Sequence, residues 1–216
     1  MIGFLGGTGP EGRSLALRLA LAGENVAIGS RDAERAKEIA KTIEERGKSI
    51  RVVGGENSAI VNMSDIVFIT VPYAGQAILL ESLEPLLRGK LIVDTVAPVS
   101  FDGGKIGSLD IDEGSAAEEA QRLLPDSKVV AAFQNVSAVD LWVPDRIIQG
   151  DVIVCSDHDE AKKEVISLAQ RIPNIRGVDG GGLANSKYVE EFTAMLLNIN
   201  RIYKVHSMVR IVGLPE

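Results

Sequence analysis

The stretch IGFLGGTGPEG, Ile2–Gly12, decides the fold. Its first four residues are apolar and strand-forming, and Gly7-Thr8-Gly9-Pro10-Glu11-Gly12 fits the pattern G-x-G-x-x-G. That pattern carries weight only directly after a strand and at the start of a helix, inside a βαβ unit, and all three conditions hold here. The physical reading is steric and electrostatic together. Gly7 permits the tight turn, Gly9 lets a pyrophosphate approach the backbone, and Gly12 lets the helix pack closely on the strand. Unpaired amides of the first helical turn, with the hydroxyl of Thr8, then face the phosphates.

The helix begun at Pro10 runs to about Ala22, with Leu15, Leu17, Leu19 and Leu21 near its apolar face and Gly23 ending it. The next strand, NVAIG, leads into GSRDAERAK, Gly29–Lys37. Many dinucleotide-binding chains close this strand with a carboxylate for the ribose hydroxyls, which repels a 2′-phosphate. Ser30 and Arg31 do the reverse, offering a hydroxyl and a fork of donors suited to phosphate. Arg35 returns to the same face one turn later. The set favours NADP over NAD. The competing reading is a solvated helix start in which Asp32 serves the helix dipole.

Further along, IRVVG, DIVFITV, KLIVDTV, KVVAAF and DVIVCS read as β-branched strands, with helical segments between them. VSFDGGKIGSLDIDEG reads as a long surface loop before a helix from about Ser115 to Leu124. DGGGLANSKYVEEFTAMLLNINRIYK reads as one long helix with Tyr188, Phe192, Met195, Leu196 and Ile199 on one face. The expectation is an α/β chain: a Rossmann-type doubly wound, mostly parallel sheet over residues 1–180, with a short helical C-terminal extension over 181–216.

The 216 residues are 45% hydrophobic and 25% charged with a net charge of −7, a balance that argues against general affinity for nucleic acid or anionic membranes. No apolar run approaches the roughly 20 residues a membrane span needs. Cys155, the single cysteine, sits in VIVC and reads as a buried inert thiol. The start MIGFLGG carries no charged leader, so a cytoplasmic location is expected.

Acid–base candidates are few. His158 reads as a surface residue at a helix start, and His206 lies in the C-terminal tail with no partner apparent in sequence. Asp140 and Asp145 flank Leu141 and Trp142 in a loop. No His, Cys or carboxylate grouping has metal-ligand spacing, so no metal is expected. Lys187, in GGGLANSKYVEE, resembles the catalytic lysine segment of β-hydroxyacid dehydrogenases, although Glu190 and Glu191 replace that family's asparagine pair. Hydride transfer between two redox cofactors needs alignment and exclusion of water rather than an acid–base residue. Strand ends supply the small apolar residues for such a site: Val71-Pro72-Tyr73, Val96-Ala97-Pro98 and Val136-Ser137-Ala138.

Taken together, FLGGTGPEGRSLALRLALAG, VAIGSR, TVPYAGQA, IVDTVAPVS, KVVAAFQNVSA and GGGLANSKYVEEFTAMLLNINR resemble the NADPH:coenzyme F420 oxidoreductases. The resemblance covers nearly the whole chain. It implies hydride transfer between NADP and the 5-deazaflavin coenzyme F420, without a covalent intermediate. It also implies that Thr8, Gly9, Pro10 and Glu11 hold the pyrophosphate, and Ser30, Arg31 and Arg35 the 2′-phosphate. Tyr73 and Ala77 would line the cofactor cleft, Ala138 would lie beside the nicotinamide, and Val136 would help stack the deazaflavin. Gln134 stands where some members carry histidine. Arg201 and Lys204 are open candidates for the deazaflavin's anionic tail. The family implies a homodimer formed through the C-terminal part. Two readings compete: an NADP-dependent imine or hydroxy-acid reductase using Lys187, and an NADP-sensing module without catalysis.

Overall fold

The computed structural model describes residues 1–214. The first unit comprises β1 (Ile2–Leu5), α1 (Pro10–Leu21), β2 (Val26–Ser30), α2 (Ala33–Gly47) and β3 (Val52–Glu56). The second comprises α3 (Asn57–Met63), β4 (Ile66–Ile69), α4 (Gln76–Leu87) and β5 (Leu91–Asp94). A hairpin follows, β6 (Val99–Asp102) and β7 (Lys105–Ser108), then α5 (Ala116–Leu123) and β8 (Lys128–Ala131). The chain continues through α6 (Ala138–Leu141), β9 (Gly150–Val154), α7 (Asp159–Gln170), β10 (Ile175–Asp179) and α8 (Ser186–Tyr203).

Six strands form one sheet in the order β3-β2-β1-β4-β5-β8, with every neighbouring pair parallel. The chain winds outward from β1 through β2 and β3, then restarts at β4 on the other side. The carboxyl ends of β1 and β4 therefore flank the point where the winding reverses, which is where open α/β sheets bind ligands. Successive strand residues alternate between two apolar layers. Phe4, Ile28 and Phe68 pack with Leu15 and Leu19 on one face, and Leu5, Ile69 and Ile92 with Leu80 and Ala117 on the other. Leu15, Leu17 and Leu19 are fully buried, but Leu21, expected with them, is 40% exposed at the helix end.

The structure departs from expectation in four places. Residues 99–108 form a hairpin rather than an irregular loop, because Gly103 and Gly104 both take positive φ (52° and 79°), the backbone a two-residue hairpin turn requires. β10 was hidden by Arg176 and Gly177 in an otherwise apolar run, and it pairs with β9 in a small parallel sheet of its own. One antiparallel bridge, Ala131 to Cys155, links this pair to the end of β8. Finally, α8 starts at Ser186 after a 3-10 turn over Leu183–Asn185, and its expected apolar face divides. Val189, Ala194 and Leu196 are buried, while Tyr188, Phe192 and Met195 are exposed.

The segment after β8 is held by Arg18 of α1. Its guanidinium, 6% exposed, donates to five carbonyls: Leu141 from Nε (2.8 Å), Pro144 from Nη1 (2.9 Å), and Asp140, Val143 and Arg146 from Nη2 (3.1, 2.5 and 3.0 Å). An α6 of four residues cannot persist on its own backbone bonds. Replacing Arg18 by Leu leaves these carbonyls without their donor, at about 1–3 kcal/mol for each that water cannot reach. The expected outcome is a urea midpoint well below that of the parent, whereas an Arg18→Lys chain, with one donor head in place of a fork, should fall between the two.

Candidate active site

The turn between β1 and α1 places its glycines by different constraints. The residue in the left-handed region is Gly6 (φ +67°), one position before the motif, so the conformational freedom assigned in sequence to Gly7 belongs to Gly6. Gly7 is required for space instead: a Cβ there would lie 2.2 Å from Ile28 Cγ2 and 2.8 Å from the Phe4 carbonyl. At Gly12 a Cβ would come within 2.6 Å of Gly7 Cα, so the close helix–strand contact is as expected. Gly9 differs, because the nearest atom to a Cβ there is 3.5 Å away. Nothing in the protein crowds that position, and the amides of Glu11 and Gly12 have no acceptor among the described residues. An open backbone approach with unpaired amides at a helix N-terminus fits a pyrophosphate.

At the end of β2, the Ser30 hydroxyl accepts from the Asp32 amide (3.1 Å), which leaves its own proton free to donate. Asp32 caps α2, accepting from the amides of Glu34 and Arg35 (3.0 and 3.2 Å). Its carboxylate is therefore engaged by the helix. Arg31 and Arg35 are exposed, and neither makes an ion pair among the described residues.

Across from the turn lies a cleft of about 400 Å³, lined among others by Glu11, Gln134, Val136, Ala138, Thr193 and His206. Three buried oxygens at this cleft have no hydrogen-bond partner: Glu11 Oε1, Gln134 Oε1 and Asn135 Oδ1. Burial pushes the Glu11 carboxyl up to about 8. Apolar walls with a few unsatisfied acceptors suit a flat ring bearing N–H groups. The backbone enters this wall through Phe133, a non-glycine residue at φ +72°. The conformation is held by packing: Phe133 is buried against Phe68 (5.6 Å between ring centroids), which stacks on Phe4 (4.7 Å).

The remaining sequence candidates fall along the same carboxyl edge. Val71 and Pro72 follow β4, Tyr73 opens a 3-10 turn, and Ala77 lies in the first turn of α4; Val71, Tyr73 and Ala77 are half-buried and Pro72 is exposed. Val96 and Pro98, after β5, are buried. Lys187 is outside the cleft lining: its amine is 48% exposed and sits 3.9 Å from Glu191. Cys155 is buried, and burial pushes its thiol up to about 11, in keeping with an inert residue. His158, expected on the surface, is half-buried against Gln121 Oε1 (3.0 Å). Asp145 is exposed, as is Lys204, and Arg201 donates to the Gly104 carbonyl of the hairpin.

A buried polar network behind the cleft was not foreseen. Asp94, fully buried at the end of β5, accepts from Gln76 Nε2 and the Val96 amide (both 2.8 Å), and its carbonyl accepts from Gln134 Nε2 (3.0 Å). Glu190 of α8, 2% exposed, accepts from the Ala116 and Ala117 amides at the start of α5 (2.8 and 3.2 Å). Asn135 Nδ2 donates to the Val189 carbonyl and Thr193 Oγ1 (both 3.0 Å). These bonds dock α8 onto the sheet edge. The sequence signal was available in Glu190, since a charge among inward-facing helix positions must find buried donors.

Sheet order, winding reversal and glycine turn define a dinucleotide-binding α/β protein of the Rossmann class. The sequence profile of the family described as NADP oxidoreductase, coenzyme F420-dependent, matches residues 1–98. Over the whole chain the protein is 39% identical to the F420-dependent NADP reductase of Methanothermobacter thermautotrophicus, covering 96% of that relative. It is 38% identical to the enzyme of the same name from Methanocaldococcus jannaschii, over 94% of this chain and 93% of the other. A solved structure of a candidate F420-dependent NADP reductase from Arthrobacter sp. FB24 superposes with a TM-score of 0.83 at 23% identity, covering 99% of both chains. The chain belongs to the F420-dependent NADP reductase family.

The docking of α8 should depend on pH. Burial, and then the charge of Asp94, raise Glu190 from 4.5 to about 8, against the Ala116 and Ala117 amides that favour its ionised form. The folded value lies above the unfolded one, so the stabilisation is complete below about pH 4.5 and is lost as pH rises through about 8. Glu190→Gln removes that titration while keeping an acceptor for one amide. Its urea midpoint, relative to the parent, should improve between pH 6 and pH 9; an unchanged difference would show that Glu190 is ionised throughout.

Proposed function

We propose that the protein transfers hydride between NADP(H) and the 5-deazaflavin coenzyme F420. The observation that carries this reading is the junction of the two half-sites. The open glycine turn and the acceptor-lined cleft meet at Glu11, so a dinucleotide anchored at α1 brings its nicotinamide end to a cavity with room for a second ring. When bound together the two cofactors supply hydride chemistry between the nicotinamide C4 and the deazaflavin C5, with no covalent bond to the protein.

The chain's own residues bind, orient and exclude water. Thr8, Gly9, Pro10, Glu11 and Gly12 take the pyrophosphate, with the Glu11 carboxyl kept neutral by burial and so not opposing it. Ser30, Arg31 and Arg35 take the 2′-phosphate. Val71, Pro72, Tyr73, Ala77, Val96 and Pro98 shape the edge along which the dinucleotide lies. Ala138 and Val136 face the two rings, and the segment from 181 to 214 closes the cleft through Thr193 and Leu197 as a small unit appended to the sheet. An imine or hydroxy-acid reductase using Lys187 is disfavoured, because that amine lies away from the cleft.

We further propose that the protein works as a cytoplasmic homodimer on small-molecule cofactors alone. No helix among the described residues is long and apolar enough to cross a membrane. Tyr188, Met195 and Ile202 on α8 are 69%, 55% and 68% exposed, a stripe a second copy would cover. A Met195→Glu chain should elute as a monomer while the parent elutes as a dimer.

The reaction itself is tested by mixing the protein with NADPH and oxidised F420 and following the deazaflavin's visible absorbance, with FMN as control acceptor. Bleaching confined to the deazaflavin is expected. Ser30→Ala with Arg31→Leu should weaken NADPH binding by about 1.5–3 kcal/mol and leave NADH binding nearly unchanged. Equal losses for both nucleotides would remove the 2′-phosphate assignment.

A further inference from the structure

Reduction of a deazaflavin by NADPH consumes one proton for each hydride, and the site as described supplies the hydride path only. The C-terminal tail brings a titratable group to the same cleft. α8 is capped by Lys204 in the left-handed conformation (φ 54°), and the chain turns back so that the Val205 amide donates to the Asn200 carbonyl (3.2 Å). The Ser207 amide and hydroxyl both donate to Asn200 Oδ1 (2.7 Å each). Beyond it, the Asp151 amide donates to the Val209 carbonyl (2.8 Å) and the Ile211 amide to Asp151 Oδ2 (2.6 Å). The tail is thus fastened on both sides of His206, which lines the cleft with Ala138 and Gln134.

His206 Nδ1 lies 3.1 Å from Asp140 Oδ1, and the Asp140 side chain is 11% exposed. A carboxylate accepts only, so it fixes the proton on Nδ1 and leaves Nε2 as the nitrogen that gains and loses protons. Nε2 has no partner among the described residues. The other charged groups facing the pair are Arg146, whose Nε is 3.0 Å from the same Asp140 oxygen, Arg18, which donates to the Asp140 carbonyl, and Glu11 within the cleft. The imidazole is 42% exposed, which gives it contact with solvent for reprotonation.

We propose that His206, oriented by Asp140, is the proton carrier of the hydride transfer. This rests on the reading of the site as a nicotinamide–deazaflavin pair. As the hydride leaves the nicotinamide C4 and bonds to the deazaflavin C5, the Nε2–H bond of the imidazolium breaks and its proton goes to the ring nitrogen N1 conjugated with C5. The neutral imidazole then takes a proton from water, and the reverse reaction runs the same steps backwards. Asp140 is a positioning residue in this scheme and never gives up a proton.

The test has an arm that needs no turnover. The chain holds two histidines, so the imidazole nitrogens of His206 can be read by ¹⁵N NMR against His158 as internal reference. Neutral His206 should carry its proton on Nδ1 in the parent, and Asp140→Asn should shift it toward Nε2 while His158 stays put. A parent His206 protonated on Nε2 would overturn the proposal. In single-turnover mixing of NADPH-loaded protein with oxidised deazaflavin, His206→Gln should slow reduction about 10²-fold. NADP⁺ affinity should stay at the parent value, and added imidazole should restore part of the rate. Asp140→Asn should slow reduction less and displace the pH profile. A His206→Gln chain with the parent's rate and pH profile would overturn the role of His206 while leaving the reductase reading intact. If Glu11→Gln alone abolished the pH dependence, the proton would belong to Glu11 and the proposal would fail. A parent protein that binds NADPH but never reduces the deazaflavin would overturn the underlying reading, whatever the NMR result.

Discussion

The architecture of the site depends on how one buried cation is satisfied. Arg18 has no carboxylate in direct contact; Asp140 and Asp145 act on it only at a distance, while burial works against its charge. Its five hydrogen bonds go to backbone carbonyls gathered from residues 140–146. Those carbonyls converge because the chain coils tightly after α6, and they can stay converged only with a planar fork of donors between them. The same helix offers its N-terminus at the glycine turn. α1 therefore ties the glycine turn, where Glu11 lines the cleft, to the segment directly after the cleft-lining residues 134–139, and their separation is set by the length of a rigid element rather than by loop contacts.

Around that frame, backbone strain and incomplete hydrogen bonding coincide at the end of β8. Phe133 sits in the left-handed region, and Gln134 and Asn135 each use their amide N–H₂ but leave the side-chain oxygen buried and unpartnered. Each such oxygen opposes folding by about 1–3 kcal/mol. At the end of β8 the Phe4–Phe68–Phe133 stack and the bonds from Asn135 to α8 hold the backbone against this cost. Gln134 and Asn135 both line the cleft, and acceptors fixed in its wall need not reorganise to meet donors arriving on a ligand.

Much of this was legible from local chemistry. Gly12 and Gly7 announce the strand–turn–helix because no side chain fits where β1 and α1 touch, and the β-branched runs announce a sheet covered on both faces. The exact division of labour among the glycines was not legible, because positive φ at Gly6 and crowding at Gly7 leave the same letter in the sequence. The hairpin is hard to read in the sequence although Asp102-Gly103-Gly104-Lys105 carries its turn, since only two short strands flank it and their apolar alternation is weak. α8 was read by period alone, which cannot tell a buried stripe from an exposed one on the same helix. The pairing of His206 with Asp140, across 66 positions, depends on the tail folding back along β9 and leaves no periodic trace.

An acidic chain that binds anions needs a local explanation. A net charge of −7 acts at long range, where salt screens it within about 8 Å at physiological ionic strength. At contact distance the nearby charges decide. Several surface cations are matched in place: Lys37 by Glu34, Arg88 by Glu84, Arg122 by Glu113, Lys163 by Glu160. Arg31 and Arg35 make no ion pair among the described residues, and Asp32, between them in the chain, has one carboxylate oxygen turned onto two helix amides. An N-cap carboxylate serves a second purpose here. Held to the helix by that oxygen, Asp32 pairs with neither arginine, and their charge stays open to an anion.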